Sequence, residues 1–243
     1  MSRWQSINGR ARQFDPRTIR GIALWLDATD STTTVLDAGV TTWRDKSGAV
    51  RDFTQTVGNN QPTIGALNGR RALAFNGTSA QMTRDILPSS LCDTSGAAAF
   101  VVFHPSSDTT YSVLHVGGNT AHRDRFSDNR SYSATFRSPR AVALEGKMPT
   151  STPAILTHHV VHESAHIIRL NRVQERSDAL SSTSTFTSWR GLTTGITCRI
   201  GVGAEQSDFL SGVIGEILIY GRAITAAEVV RVENYLARKW GVA

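Results

Sequence analysis

Residues Gly212-Val-Ile-Gly-Glu-Ile-Leu-Ile-Tyr220 form a near-continuous apolar run bounded by glycines. A run of this kind, without a polar face, suits a strand covered on both sides. Gly221-Arg222 turns the chain, and Thr225-Ala-Ala-Glu228 has the spacing of a capping box. The Thr hydroxyl there accepts from the backbone N–H three residues on, while the Glu carboxylate reaches back to the cap. Val229, Val230, Val232, Tyr235, Leu236 and Trp240 give the helix that follows one apolar face, and Gly241 stops it. The chain therefore ends as a doubly buried strand with a short helix closing over it.

Upstream, short β-branched or aromatic runs alternate with Gly, Ser, Thr, Asp and Asn turns, the punctuation of an antiparallel β-protein. The predicted strands are 22–27, 40–44, 71–76, 97–104, 111–117, 131–137, 140–145, 154–162, 166–173, 197–202 and 211–220. Such spacing implies a sandwich of two sheets. Trp25, Trp43, Phe75, Phe100, Phe103 and Trp240 fall on these runs or on the inner face of the closing helix, which makes them core or edge-packing residues. A chain of 243 residues, 40% of them hydrophobic, is long enough to bury one full core, and no linker divides it.

Gly21-Ile-Ala-Leu-Trp-Leu-Asp27, Thr41-Thr-Trp-Arg-Asp-Lys-Ser-Gly48, Gln61-Pro-Thr63 and Asn68-Gly-Arg-Arg-Ala-Leu-Ala-Phe-Asn-Gly-Thr78 precede that closing strand and helix in order. This succession resembles the laminin-G-like members of the concanavalin A-like lectin/glucanase superfamily over roughly residues 21–243. The resemblance implies an all-β fold, a jelly-roll sandwich of two antiparallel sheets with a short C-terminal helix. It implies no single activity, because the fold hosts lectins, glycosidases and inert structural modules.

The formal charge is +6, carried mostly by arginine, since Lys46, Lys147 and Lys239 are the only lysines. The arginines are scattered and form no stripe with aromatics, so a nucleic-acid footprint is not expected. No segment is apolar enough to span a bilayer, and the polar stretch Met1–Arg20 has no signal-peptide core. Cys92 and Cys198 are too few for a cystine scaffold and too far apart in sequence for a metal knuckle, and are expected to be reduced in or near the core. These features point to synthesis in a cytosol. Residues 1–20 are expected to form an arm, with Trp4 and Phe14 as apolar anchors and Arg12 and Arg17 as forks for a neighbouring subunit's carboxylates.

One catalytic pattern matches literally: His162-Glu163-Ser164-Ala165-His166 has the H-E-x-x-H form of zinc hydrolases. That chemistry needs a helix, and here the flanks alternate and are β-branched, predicting a hairpin instead. Arg169 and Arg172 also occupy the spacing where an extended motif would bring a third ligand. His158 and His159 fall on opposite faces of the preceding strand. For glycosidases of this fold the resemblance implies an E-x-D-x-E strand with carboxylates about 5–5.5 Å apart. The chain has no such run, and Glu216 stands alone in its strand.

Sugar recognition asks less: an aromatic platform and planar polar groups for hydroxyls. Trp189 and Arg190, with Asp124 and Asn129 from a polar loop between 117 and 131, supply those types. Laminin-G-like domains sometimes bind calcium, for which Asp27, Asp30 and Asp45 are eligible, but no dense carboxylate run requires it and no cofactor is expected.

The expected function is a non-enzymatic bacteriophage virion surface protein, a capsid decoration (cement) protein or head/tail spike, made in the host cytoplasm and displayed on the particle exterior. Its partners would be other virion proteins such as the major capsid protein, further copies of itself (a trimer is one arrangement) and host surface glycans. The alternatives are a glycan-binding receptor module of a tail fibre and, third, a zinc hydrolase using His162 to His166.

Overall fold

The computed structural model describes residues 14–86, 90–106, 111–116, 124–127, 131–134, 142–145, 149, 151–162, 164–179, 196–203 and 206–242. In chain order the strands are β1 Ile22–Asp27, β2 Thr34–Leu36, β3 Val40–Trp43, β4 Phe53–Thr54, β5 Thr63–Leu67, β6 Arg70–Asn76, β7 Met82–Ile86, β8 Gly96–Pro105, β9 Tyr111–Ser112, β10 Leu114–Val116, β11 Asp124–Ser127, β12 Ser131–Ala134, β13 Val142–Glu145, β14 Ala154–Val161, β15 Ala165–Leu170, β16 Val173–Ala179, β17 Ile196–Ile200 and β18 Ser211–Tyr220. Helix α1, Ala226–Trp240, follows.

An eight-stranded sheet has the order β16-β15-β14-β8-β18-β6-β5, with β1 also paired to β18. A six-stranded sheet, β10-β17-β7-β4-β3-β2, faces it, and a smaller four-stranded sheet, β13-β12-β11-β9, stands beside them. Every pairing is antiparallel among the described strands. The all-β sandwich with a closing helix is therefore present, with one small sheet more than the sequence pattern announced.

Strand alternation divides the apolar residues into two cores. Trp43, Phe53, Phe75, Met82, Phe103, Leu114, Leu156, Ile168, Ile200 and Ile217 fill the space between the two large sheets. Phe100, Val102, Ile155, Leu218 and Tyr220 point the other way and meet Val229, Val232, Leu236 and Trp240 of α1. Strand β18 lies between β8 on one side and β6 and β1 on the other, so its run is buried on both faces. Burying each of these large side chains contributes on the order of 1.5–3 kcal/mol.

Local chemistry sets the ends of α1. The Thr225 hydroxyl accepts from Glu228 N at 3.2 Å, and the Glu228 carboxylate accepts from Thr225 N at 2.7 Å. Gly241 closes the helix with φ +63°, a left-handed value that costs glycine little. Gly215 matters for a different reason: a Cβ there would lie 2.6 Å from the Trp240 ring, so only glycine lets the indole lie on the sheet.

Beneath α1 the fully buried Glu216 carboxylate accepts from four donors. Trp25 Nε1 and Tyr235 OH reach Oε1, each at 2.8 Å. Trp240 Nε1 at 2.8 Å and Lys239 Nζ at 2.7 Å reach Oε2. Burial outweighs the Lys239 ammonium and the Trp240 donor and leaves this carboxyl raised. Four donors and no acceptor suit the anion. Removing the carboxylate leaves the Trp25, Tyr235 and Trp240 donors buried without their acceptor, while Lys239 keeps Asp27. Glu216→Ala should therefore destabilise the protein by about 3 kcal/mol or more, at about 1–3 kcal/mol for each unsatisfied donor, read as a lowered urea midpoint, with near-ultraviolet circular dichroism reporting loosened tryptophans.

Candidate functional site

The helix covers one face of the sandwich, and among the described residues no helix covers the outer face of the six-stranded sheet. Direct cross-strand partners on that face run in one line: Val35 opposite Thr42, Thr42 opposite Thr54, Thr54 opposite Thr83, Thr83 opposite Arg199, and Arg199 opposite His115. Their neighbours Trp43, Phe53, Met82, Ile200 and Leu114 point inward to the core, so the row points outward. Thr42, Thr83 and Arg199 are half-buried, Thr54 is exposed and His115 is buried. Beside the row, the Thr197 hydroxyl donates to Asp85 Oδ1 at 2.7 Å. The Arg199 guanidinium reaches the Thr197 carbonyl only at 3.4 Å. The result is a rigid strip of hydroxyls with one guanidinium and one carboxylate, suited to a ligand rich in hydroxyl groups.

The residues proposed from sequence fall in several places. Asp124 opens β11, held between β12 and β9, so it stands on a strand rather than in a loop. Strand β11 lies alongside β10, which carries His115. Trp189, Arg190 and Asn129 lie outside the described residues, as do Trp4 and Arg12. Phe14 packs against Tyr235 with ring centroids 5.3 Å apart, and the Arg231 guanidinium lies over its ring. Arg17 is paired with Asp15 at 2.7 Å and lies over the Trp25 ring. Tyr220 OH donates to the Pro16 carbonyl at 3.0 Å, and Ile19 is buried beneath α1. From Phe14 onward the chain is thus laid down on its own sandwich.

The histidine motif is a hairpin. Strands β14 and β15 pair antiparallel, with Val161 opposite Ala165 and Val160 opposite His166, and the turn between them closes with Ser164 N donating to the Val161 carbonyl. Glu163 lies outside the described residues. His166 points into the core, where its Nε2 is 3.4 Å from His158 Nδ1. Burial lowers the His158 pKa to about 4, which keeps the ring neutral. His159 points to the opposite face, and burial lowers its pKa as well. Two histidines on one exposed helical face, the requirement for a zinc protease, do not arise here, and the described residues contain no group of three or more metal-ligating side chains.

Cations of the chain's own already occupy the carboxylates considered for calcium. Lys46 Nζ bridges Asp27 at 3.1 Å and Asp30 at 2.8 Å, and stands 4.5 Å from the Trp25 ring centroid. Lys239 Nζ reaches Asp27 at 2.8 Å as well as Glu216. Asp45 accepts instead from the backbone of Trp25 at 3.0 Å, Ser47 at 2.8 Å and Arg51 at 3.1 Å, and from the Ser47 hydroxyl at 2.7 Å. The Asp45-Lys46-Ser47 turn thereby caps the outer edge of β1. Asp27 also stands directly opposite Glu216 in register, an acid pair that sequence separation concealed. Both are buried, Asp27 paired with Lys46 and Lys239 and Glu216 with Lys239.

No family model matches the sequence, and no curated protein matches it. Solved structures do resemble the fold. The Trypanosoma rangeli sialidase in complex with sialic acid superposes with a TM-score of 0.63 at 11% identity, covering 91% of this chain and 33% of that one. Domain 4 of AbnA, a GH43 extracellular arabinanase from Geobacillus stearothermophilus in complex with arabinotriose, gives 0.60 at 14%, covering 87% and 98%. The botulinum neurotoxin type C structure that concerns two ganglioside molecules gives 0.64 at 10%, covering 89% and 51%. This chain thus spans about a third of the sialidase and about half of the toxin chain, but nearly all of the arabinanase domain.

A hydrogen bond from Lys46, with one from Thr32, holds the Asp30 carboxyl at about 2. For Asp27, burial pushes upward, but Lys239, Thr29 and Lys46 more than offset it and leave the carboxyl lowered. A carboxyl lowered by folding stabilises the fold above its unfolded pKa, and that contribution is lost as pH falls through the folded value. The thermal midpoint should therefore fall between about pH 4 and pH 2, and Lys46→Met should flatten that fall. An unchanged slope in Lys46→Met would remove the lysine from this role. What the geometry and the comparisons together establish is a lectin-like jelly-roll sandwich, closed by a helix on one face and presenting a hydroxyl-rich row on the other.

Proposed function

We propose that this chain is a non-enzymatic glycan-adhesion module on the exterior of a bacteriophage particle, binding host surface sugars through the outer face of the six-stranded sheet. The observation that carries the reading is the cross-strand row Thr42, Thr54, Thr83 and Arg199 on a face that no helix among the described residues covers. Hydroxyls and a guanidinium on a rigid sheet can exchange hydrogen bonds with sugar hydroxyls without first paying to order a loop. The structural neighbours named with sialic acid, arabinotriose and gangliosides support it by analogy of fold. The non-enzymatic part rests on Asp27 and Glu216, the acids that share a register, being buried and paired with Lys46 and Lys239.

The virion part rests on the sequence: a basic segment ahead of Phe14, with Trp4 and Arg12, would fix the module to another virion protein such as the major capsid protein, in several copies. Trp189 and Arg190 are, from the sequence, residue types that would supply a stacking platform for a sugar. A capsid decoration protein and a tail-fibre receptor module are both compatible with this arrangement.

A glycan array probed with the full chain tests the reading, and saturable binding to a defined set of glycans is expected. Thr83→Val, which keeps the side-chain shape and deletes one hydroxyl, should cost about 1 kcal/mol, a loss of roughly five-fold in affinity. Binding no stronger than background across the array would sink the proposal.

A further inference from the structure

Within the proposed glycan face, and resting on that reading, the placement of one guanidinium narrows the ligand class. Many arginines of this chain are already engaged. Arg17 is paired with Asp15, Arg169 with Glu233 and Arg222 with Glu228. Arg84 points toward the carbonyls of Asp52 and Val50. Arg199 differs: among the described residues its one hydrogen bond is the 3.4 Å contact to the Thr197 carbonyl, and no carboxylate among them closes an ion pair with it. The nearby acid on the same face, Asp85, accepts instead from the Thr197 hydroxyl. Strand β17 is held on both sides, by β10 and by β7, so the guanidinium projects from the interior of the sheet rather than from a frayed edge.

We infer that Arg199 makes this face selective for glycans bearing a carboxylate, such as a terminal sialic acid or a uronic acid. A planar guanidinium offers two parallel N–H donors that match the two oxygens of a carboxylate, a pairing shorter and stronger than one between neutral groups. The flanking Thr83 and Thr54 hydroxyls stand where the neutral hydroxyls of the same sugar need partners. Asp85 sets the upper limit on negative charge. One guanidinium beside one carboxylate accommodates a single anionic group and repels a dense polyanion, which binds instead to clustered cations. The chain's net charge of +6 draws an anionic surface toward the protein without specifying the sugar.

The test is isothermal titration of the full chain with matched pairs: 3′-sialyllactose against lactose, and a glucuronyl-glucose disaccharide against cellobiose, with heparin as the polyanion control. At least one acidic member should bind about ten-fold tighter than its neutral partner, the ratio expected of one charge-assisted bidentate contact. Arg199→Gln should bring that ratio to about one, Arg199→Lys should retain part of it, and Asp85→Asn should raise it. Thermal melts check that each variant is folded, and the Asp85→Asn result stands even where Arg199→Gln does not fold. Equal binding of acidic and neutral sugars would overturn the selectivity and leave the glycan face intact. Heparin binding above all the others would overturn it in favour of simple charge attraction. Absence of binding to every sugar would overturn the glycan reading itself, and this inference with it.

Discussion

A carboxylate stripped of water must be matched by donors fixed in place, and Glu216 is where this molecule meets that demand. It sits on the central strand of the larger sheet and accepts from Trp25, Tyr235, Lys239 and Trp240, drawn from β1 and from the closing helix. An apolar residue there would hold the helix by area alone, and a helix on a flat sheet can slide at little cost in buried surface. Four directional bonds to one group fix its rotation and its height. The absent side chain at Gly215 then lets the Trp240 ring lie against the strand. Lys239 extends the arrangement to Asp27, and Lys46 carries it to Asp30 at the surface. The energetic logic is that of any buried ionic network: large desolvation costs balanced by complete pairing, so that the whole is sensitive to each member.

That arrangement divides the molecule functionally. With α1 and the residues from Phe14 to Ile19 laid over the eight-stranded sheet, that side is apolar, charged only where neutralised, and closed. The six-stranded sheet keeps its inner residues in the shared core and sends threonines and Arg199 outward. Among the described residues the helix thus covers one sheet, while the other presents polar side chains. The acids that share a register follow the same division: Asp27 and Glu216 lie inside, matched by Lys46 and Lys239.

Much of this was legible in the sequence wherever a segment is buried on both sides. Strands β1, β8, β14 and β18 were readable because their apolar runs have no competing explanation, and β3, β6 and β17 from their β-branched and aromatic residues between turn signals. Helix α1 was readable from its capping box and its glycine stop. The H-E-x-x-H match was correctly read as a hairpin, since β-branched flanks outweigh a five-residue pattern. Strands β2, β4, β5, β7, β11 and β16 were missed. Each is short or half polar: Met82-Thr-Arg-Asp-Ile86 has its apolar residues only at the ends, and β16 is an edge strand whose described side chains are exposed. The expected 166–173 strand is in fact two, because Asn171 and Arg172 take positive φ values and reverse the chain there.

The hydroxyl row was hidden for the same reason the polar strands were. Thr42, Thr54, Thr83 and Arg199 lie on four different strands and are neighbours only through hydrogen-bonded register. Asp27 and Glu216 are likewise adjacent in space and 189 positions apart by their numbers. The sequence by itself determined the fold class, the core tryptophans and the closing helix, because burial periodicity and capping are local and act within one segment. Which polar side chains share a face, which acids are matched by lysines and which sheet the helix covers were decided only by the tertiary structure. Those properties depend on the order and register of strands, and cross-strand partners are set by pairing distant segments rather than by the residues beside them.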